Sequence, residues 1–282
     1  MSDLIYVYCV MDRMPVLEHL AIRDPSSVTR DPANDGRRTT DDGPEVLVHD
    51  GLYAVVGRVP AEDFSEENLP ARLKDVEWIT RRLTLHERVV EHAMQYGCVI
   101  PFKFGTVFHT EENVHLMLDA HATEFRQNLS ELAGKQEWGV KVYCDRRQLT
   151  ASVTAQNPTL VELDREISAA SKGRAFLLTQ RRVKLMVAAV NDEVAKFGQE
   201  CFDRLAGQGL RARVNDPLPP EADGGSEEMI LNAAFLVAKE KTPQFLDTVN
   251  QLQEQLVPHG LRLKSTGPWP PYNFCRFSTE NA

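Results

Sequence analysis

Three prolines crowd a short stretch near the C-terminus, residues 265–274 with the sequence STGPWPPYNF. Each proline fixes its own φ angle and removes a backbone N–H donor, so the stretch fits neither a helix interior nor a central strand. Each proline also drives the preceding residue towards an extended backbone. We therefore predict a stiff turn between two short strands, within residues 260–277, that presents Trp269 and Tyr272 on a rigid support. Since nothing in the stretch resembles a catalytic nucleophile, a metal site or a phosphate-binding loop, it favours an architectural or binding role.

Composition narrows the class of protein. At 282 residues the chain is long enough for two domains, each with its own core. Its hydrophobic share of 42% and charged share of 26% are typical of soluble globular proteins. The net charge of −9 argues against nucleic-acid binding, which is usually carried by a basic patch. No apolar run reaches the roughly 20 residues that span a bilayer, and no signal peptide is visible. We therefore expect a cytoplasmic protein that binds no nucleic acid and no lipid membrane.

The cysteines predict buried thiols. They are far apart in sequence, odd in number and never in C-x-x-C spacing, so neither a disulfide framework nor a zinc site is indicated. The five are Cys9, Cys98, Cys144, Cys201 and Cys275. Most lie in apolar, strand-like segments, where a free thiol behaves as a small hydrophobic group.

The N-terminal half mixes strand and helix patterns. β-Branched and aromatic runs predict strands, and periodic apolar positions predict helices. The predicted strands lie at 4–10, 46–58, 98–104 and 136–145, and the predicted helices at 61–75, 78–97 and 110–132. Residues 23–45 are polar, contain Pro and Gly, and predict a flexible loop. The polar segment 146–158 predicts a linker, which places an N-terminal domain at 1–150.

The C-terminal half, residues 151–282, predicts a second domain. Helical sequence runs over 159–206, and its long final part near 174–206 carries apolar residues at a seven-residue period. Further strands are predicted at 210–215 and 229–237, with a helix at 243–257. The whole pattern predicts the α+β class, with two domains that each hold an antiparallel sheet with helices packed on one face. The apolar seam of the long helix indicates core packing, although one end of such a helix can also reach a neighbouring subunit or domain.

Several segments together resemble one protein family. They are GLYAVV at 51–56, VIPFKFGTVF at 99–108, WGVKVY at 138–143 and GPWPPYNF at 267–274. In this order they are similar to the blocks of the gas vesicle protein F/L family. The resemblance runs from Leu4 to Phe274 and covers nearly the whole chain, apart from residues 23–45.

The resemblance implies a modified ferredoxin-like fold, at least in the N-terminal domain. It implies a non-enzymatic accessory protein, resident in the cytoplasm and associated with the gas vesicle. Family members are held to bind the small, hydrophobic major shell protein, to limit its aggregation or assist nucleation, and some are minor vesicle components. The implied partners are thus the major shell protein and other gas vesicle accessory proteins, with no cofactor.

An enzyme or small-ligand-binding protein on a ferredoxin-like scaffold is the alternative, since that fold hosts many functions. The stretch HERVVEH at 86–92 is not an HExxH zinc motif, because its histidines are six residues apart on different helix faces. His86 lies on an apolar stripe, which favours a hydrogen-bonded core residue. The sequence has no G-x-S-x-G elbow and no phosphate-binding glycine loop, so we predict no catalytic, cofactor or metal residues. A deep pocket lined by groups with shifted pKa values would favour the enzyme.

Five residues are our candidates for partner binding: Phe102, Lys103, Phe104, Trp269 and Tyr272. Strand alternation places Lys103 opposite the two phenylalanines, where it either points to solvent or contacts a partner. Trp269 and Tyr272 either pack the last strand or anchor an interface, where such residues are enriched.

Overall fold

The computed structural model describes residues 3–17, 43–219 and 227–275. Most of the predicted flexible loop at 23–45 lies outside these residues, and Glu45 begins a strand. The chain divides into two units, one formed by 1–134 with 269–282 and the other by 135–268.

The first unit is built on a sheet with the strand order β2–β3–β1–β4, in which β5 also pairs with β1. Its elements are β1 Asp3–Met11, β2 Glu45–His49, β3 Leu52–Pro60, α1 Ala61–Phe64, α2 Leu69–Arg72, α3 Val76–Met94, β4 Val99–Pro101, β5 Val107–Phe108, α4 Glu111–Ala120 and α5 Ala122–Leu132. Every strand pair in this sheet is antiparallel. The two-residue turn between β2 and β3 has positive φ at both Asp50 and Gly51, as a type I′ hairpin requires.

Helices cover both faces of this first sheet. A bulge at Tyr8 shifts the pairing of β1 with β3, so that Tyr8 joins Cys9 on the face packed against α3. Ile5 and Val7 lie on the opposite face, in a cluster with side chains of α4 and α5. The α+β class with two antiparallel sheets is confirmed, but helices pack on both faces here, whereas one covered face was expected from the sequence.

The second unit has a four-stranded sheet with the order β7–β8–β6–β9. Its elements are β6 Lys135–Cys144, α6 Arg146–Gln156, α7 Pro158–Ala169, α8 Lys172–Ala206, β7 Arg211–Val214, β8 Glu228–Ala238, α9 Thr242–Leu256 and β9 Leu261–Trp269. Side chains of β6, β8 and β9 form one core cluster with residues of all four helices. The element order, a strand, helices, two strands, a helix and a strand, is that of the ferredoxin-like motif.

The unit boundary differs from the predicted boundary at residue 150. β6 was expected to close the first domain, but it pairs along its length with β8 and so belongs to the second unit. The segment 146–158 was expected to be a linker because it is polar. Most of it instead forms α6, whose first turn donates hydrogen bonds to the preceding Asp145, and Asn157 accepts them from the first turn of α7.

Three predicted helices are interrupted. The helix expected over 61–75 is present as α1 and α2, which residues 65–68 separate. His121 leaves the helical conformation between α4 and α5, and the extended residues 170–171 separate α7 from α8. The long helix is present as the 35-residue α8. Among the described helices, α8 included, none contains a stretch apolar enough to cross a membrane.

Gly260 makes a close approach that provides a test of the second unit. Its φ is +76°, and a Cβ at this position would lie 2.7 Å from the Cβ of Gln148. Gly51 has a similar φ of +75° but no neighbour within 4 Å of such a Cβ, so it is the matched control. We expect Gly51→Ala to lower the free energy of unfolding by about 1–2 kcal/mol through backbone strain alone. Gly260→Ala should lose about 1–3 kcal/mol more through overpacking, as measured by urea denaturation. Equal losses in the two variants would contradict the close approach.

Candidate functional site

The proline stretch ends β9 and turns the chain. Gly267 has a φ of +136°, a conformation that favours glycine, and the Gly267–Pro268 peptide bond is cis. Pro270 and Pro271 are buried, and the Tyr272 N–H donates to the Pro270 carbonyl at 2.7 Å. The predicted turn is therefore present, but it does not join two strands, because β9 is the only strand that the described residues 260–275 contain.

Tyr272 enters a hydrogen-bonded cluster on α3. Its hydroxyl lies 3.0 Å from His86 Nε2 and donates to Glu87 Oε1 at 3.1 Å. The His86 and Tyr272 rings are stacked, with centroids 6.4 Å apart. A side chain near the C-terminus is thus held by two consecutive residues of α3. We call Tyr6, His86, Glu87 and Tyr272 the His86 cluster.

Tyr6 completes the His86 cluster from β1. Its hydroxyl lies 2.8 Å from His86 Nδ1 and accepts the Gly105 N–H at 3.2 Å. One assignment of protons satisfies these four contacts: Tyr6 donates to Nδ1, the proton on Nε2 is donated to Tyr272, and Tyr272 donates to Glu87. The cluster therefore ties β1, α3, the turn after β4 and the proline turn into one network.

Burial sets the protonation of these groups. It lowers the pKa of His86 to about 4, although the nearby Phe102 carbonyl acts in the opposite direction. It also raises the pKa of the Tyr6 and Tyr272 hydroxyls well above their ordinary values. Burial raises the pKa of Glu87 as well, and the hydrogen bond from Tyr272 partly offsets this. At neutral pH the histidine and both phenols are consequently uncharged, which suits them to a fixed network of donors and acceptors.

Aromatic rings surround the His86 cluster. Phe104 lies 6.2 Å from both Tyr6 and His86 and 6.3 Å from Trp78, measured between ring centroids. Trp78 stands in the first turn of α3, where Asp75 accepts its backbone N–H as the N-cap. This apolar surround accounts for the burial that shifts the pKa values.

The five predicted partner residues are divided among different environments. Phe102 is buried in the core cluster on the α4 and α5 face, with its ring 6.2 Å from that of Phe125. Phe104 is half-buried on the opposite face, beside the His86 cluster. Lys103 is exposed between them, and Trp269 is 36% exposed. The structure brings Phe104 and Tyr272 together around His86, whereas Phe102 lies elsewhere.

Two members of the His86 cluster were not singled out from the sequence. Tyr6 lies in an apolar strand, where the pattern predicts only a core residue. Glu87 follows His86 in a stretch rich in charged residues, where a single glutamate does not stand out. The only signal for their roles was His86 itself, a polar residue on an apolar stripe that needed a partner. The partner that closes the network, Tyr272, is 186 residues away in sequence.

The other candidate groups show no catalytic arrangement. All five cysteines are free, with Cys9, Cys144 and Cys201 buried, and burial raises the pKa of Cys144 and Cys201 to about 11. The Nδ1 atoms of His49 and His115 lie 3.1 Å apart. Even so, no group of three or more His, Cys, Asp or Glu residues in the described ranges could hold a metal ion.

A cleft of about 550 Å³ lies in the second unit, between the α6–α7 junction and α8. Phe197 and His259 line it, with their rings 5.1 Å apart, together with Asp192, Glu193 and Lys196. None of these residues belongs to the His86 cluster, which lies in the first unit.

Removal of one hydroxyl tests the His86 cluster. Tyr272→Phe should lower the free energy of unfolding by about 1–3 kcal/mol, because His86 Nε2 and Glu87 Oε1 each lose a hydrogen bond to its hydroxyl. Tyr53→Phe is the matched control, since Tyr53 is half-buried and its hydroxyl has no hydrogen-bond partner among the described residues. Chemical denaturation of both variants compares them directly. If the two changes cost the same, the hydroxyl of Tyr272 contributes nothing specific.

The shifted pKa of His86 predicts a pH dependence of stability. The unfolded chain binds a proton at His86 near pH 6.5, whereas the folded chain binds it only near pH 4. Between these values the unfolded state carries more protons, so the free energy of unfolding falls as the pH falls, by roughly 3 kcal/mol in total. Glu87, with its raised pKa, acts in the opposite sense. His86→Gln should flatten the profile between pH 6.5 and 4, and NMR titration of the wild-type imidazole should give a pKa of about 4. An imidazole that titrates near 6.5 would rule this out.

Comparison with known proteins identifies the family. The family model described as gas vesicle synthesis protein GvpL/GvpF matches residues 4–276. Gas vesicle protein L of Streptomyces sp. (strain CB03234) is 31% identical over 84% of this chain and 85% of its own length. Gas vesicle protein F of the same strain is 28% identical over 81% of this chain and 86% of its own length. The crystal structure of gas vesicle protein GvpF from Anabaena sp. PCC7120 matches the fold with a TM-score of 0.68 at 21% identity, over 98% of this chain and all of that one. This chain belongs to the GvpL/GvpF family of gas vesicle proteins.

Proposed function

We propose that this protein is a non-enzymatic, cytoplasmic accessory protein that binds the hydrophobic major shell protein of the gas vesicle and assists its assembly or nucleation. The observation that carries the proposal is the exposed Trp269 on the proline turn, in a chain that belongs to a gas vesicle family. Other gas vesicle accessory proteins are further partners in this proposal.

The physical need for such a partner comes from the shell. A protein that packs into a gas-facing wall has apolar surface to cover before it assembles, and exposed apolar surface leads to aggregation. A partner that covers this surface must itself remain in solution. The net charge of −9 supports that role, because like-charged complexes repel one another.

Trp269 is suited to anchor such a contact. It is 36% exposed although tryptophan is among the largest apolar side chains, and it stands between two prolines that restrict its backbone. The adjoining Tyr272 is held by His86 and Glu87, so the turn loses little conformational entropy when it binds. Tryptophan on a rigid support is a frequent source of binding energy at protein interfaces. The exposed Lys103 is a second candidate contact in the same unit.

The alternative of an enzyme has less support. Groups with strongly shifted pKa values mark many active sites, but here they hydrogen-bond one another in a fixed network within the first unit. The cleft beside Phe197 and His259 lies in the second unit. None of His86, Glu87 and Tyr272 lines that cleft, whereas a catalytic site would need groups with shifted pKa values in its lining.

Co-expression with the major shell protein tests the proposal. We expect the two proteins to co-purify in soluble form and Trp269→Ala to reduce the recovered shell protein about tenfold, the loss of one interface anchor. Leu116→Ala is the matched control, since Leu116 is a 55% exposed apolar residue on α4. Equal recovery with Trp269→Ala and Leu116→Ala would exclude Trp269 as the anchor. Failure of the wild type to co-purify would overturn direct binding.

A further inference from the structure

An apolar stripe is exposed on the first half of α8. Phe176, Val183 and Val187 are spaced seven and four residues apart, so they lie on one helix face, and Leu177 stands beside them. Their exposed fractions are 64%, 44%, 50% and 68% in chain order. Single exposed apolar residues are ordinary, but four of them along one short stretch of helix form a patch.

The neighbouring helix α7 packs elsewhere on α8. Asp164 of α7 pairs with Arg182 at 2.5 Å, which marks the α8 side that faces α7. At 100° per residue, the line through Phe176, Val183 and Val187 lies roughly 120° around the helix from Arg182. The stripe is therefore left uncovered by the hairpin that α7 and α8 form.

The stripe continues a seam that is buried further along the same helix. Val190, Cys201 and Leu205 lie on the same line and are buried in the core of the second unit. A helix of 35 residues extends about 52 Å, whereas a strand of ten residues extends about 33 Å, so α8 is longer than the sheet it packs on. The first half of α8 thus presents the same kind of apolar face as the second half, but its stripe is exposed rather than buried.

The charge of this segment differs from that of the whole chain. Residues 172–191 contain five basic residues and no acidic residue, in a chain with a net charge of −9. Arg182 is paired with Asp164. In the described parts of the chain, the other four cations form no ion pair; they are Lys172, Arg174, Arg181 and Lys184.

Two of these cations act against the helix that carries them. Lys172 and Arg174 stand in the first turn of α8, where the helix dipole favours acidic residues. The N-cap Ser171 makes no side-chain hydrogen bond to offset this. Negative charge supplied by a partner would stabilise this end of the helix.

We infer that the first half of α8 is a docking surface for an amphipathic helix of a partner protein, whose apolar stripe is flanked by acidic residues. The apolar stripes would pack in the helix-to-helix mode, and the acidic flank would face Arg174, Arg181 and Lys184. A second copy of this chain is disfavoured as the occupant, because two such stripes would bring their basic flanks together. This inference does not depend on Trp269 or on the shell protein.

Two synthetic peptides of about 18 residues, five helical turns, test the inference with the full-length protein. Both carry the same leucine stripe, one flanked by Glu and the other by Lys. By fluorescence anisotropy we expect the Glu peptide to bind at least about tenfold more tightly than the Lys peptide, with the difference shrinking as salt screens the charges.

Variants on the stripe locate the binding. Phe176→Ser and the double change Arg181→Glu with Lys184→Glu should each weaken the Glu peptide by about tenfold or more. Leu116→Ser and Lys239→Glu are the matched controls, since both side chains are exposed and lie outside α8. Equal affinity for the two peptides, no binding of either, or equal effects of test and control variants would overturn the inference. Self-association of the wild type that Phe176→Ser abolishes would overturn it in favour of a second copy.

Discussion

The burial of β1 on both faces is the constraint on which the first unit depends. Eight of its nine residues are buried, and it pairs with β3 on one edge and with β4 and β5 on the other. A strand in this position must direct apolar side chains to both faces, and its polar atoms need partners inside the protein. The bulge at Tyr8 helps to provide these partners, because it places Tyr6, Tyr8 and Cys9 together on the face that packs against α3. The hydroxyl of Tyr6 then requires a buried acceptor, and His86 supplies it.

The same demand explains why a residue from the C-terminus belongs to the first unit. A neutral imidazole has one donor and one acceptor nitrogen, and Tyr6 satisfies only one of them. The Tyr272 hydroxyl pairs with the other, so the proline turn supplies a further member of this buried network. Three prolines restrict the backbone of this segment in the unfolded chain, so less conformational entropy is lost when the segment is fixed in the folded protein. The prolines and the hydrogen bonds of Tyr272 therefore both act to hold the turn in one conformation against α3.

Local patterns in the sequence predicted most helices and strands. The features that were missed depend on pairing between residues that are far apart along the chain. The strand at 135–144 was expected from its composition, but its place in the second unit follows from pairing with β8, about ninety residues later along the chain. The polar segment 146–158 was interpreted as a linker because capping residues and linker residues have the same composition. For the candidate site, the stiff turn and the buried His86 were foreseen, whereas the Tyr272–His86 contact joins positions 186 residues apart. Phe102 was grouped with Phe104, although the chain leaves β4 after Pro101, and the two rings pack on opposite faces.

The first half of α8 differs from the second half in the interactions that stabilise it as a helix. An isolated helix is marginal in water, and α7 lies beside this half. Residues of good helix propensity such as Ala, Leu, Arg and Lys make up most of it, and the Asp164–Arg182 ion pair fastens it to α7. None of these contributions requires Phe176, Leu177, Val183 or Val187 to be apolar, because all four side chains are exposed. The stripe does not contribute to folding, and the cations beside it oppose the helix dipole. The stability of the chain therefore does not account for this surface, whereas binding of a partner does.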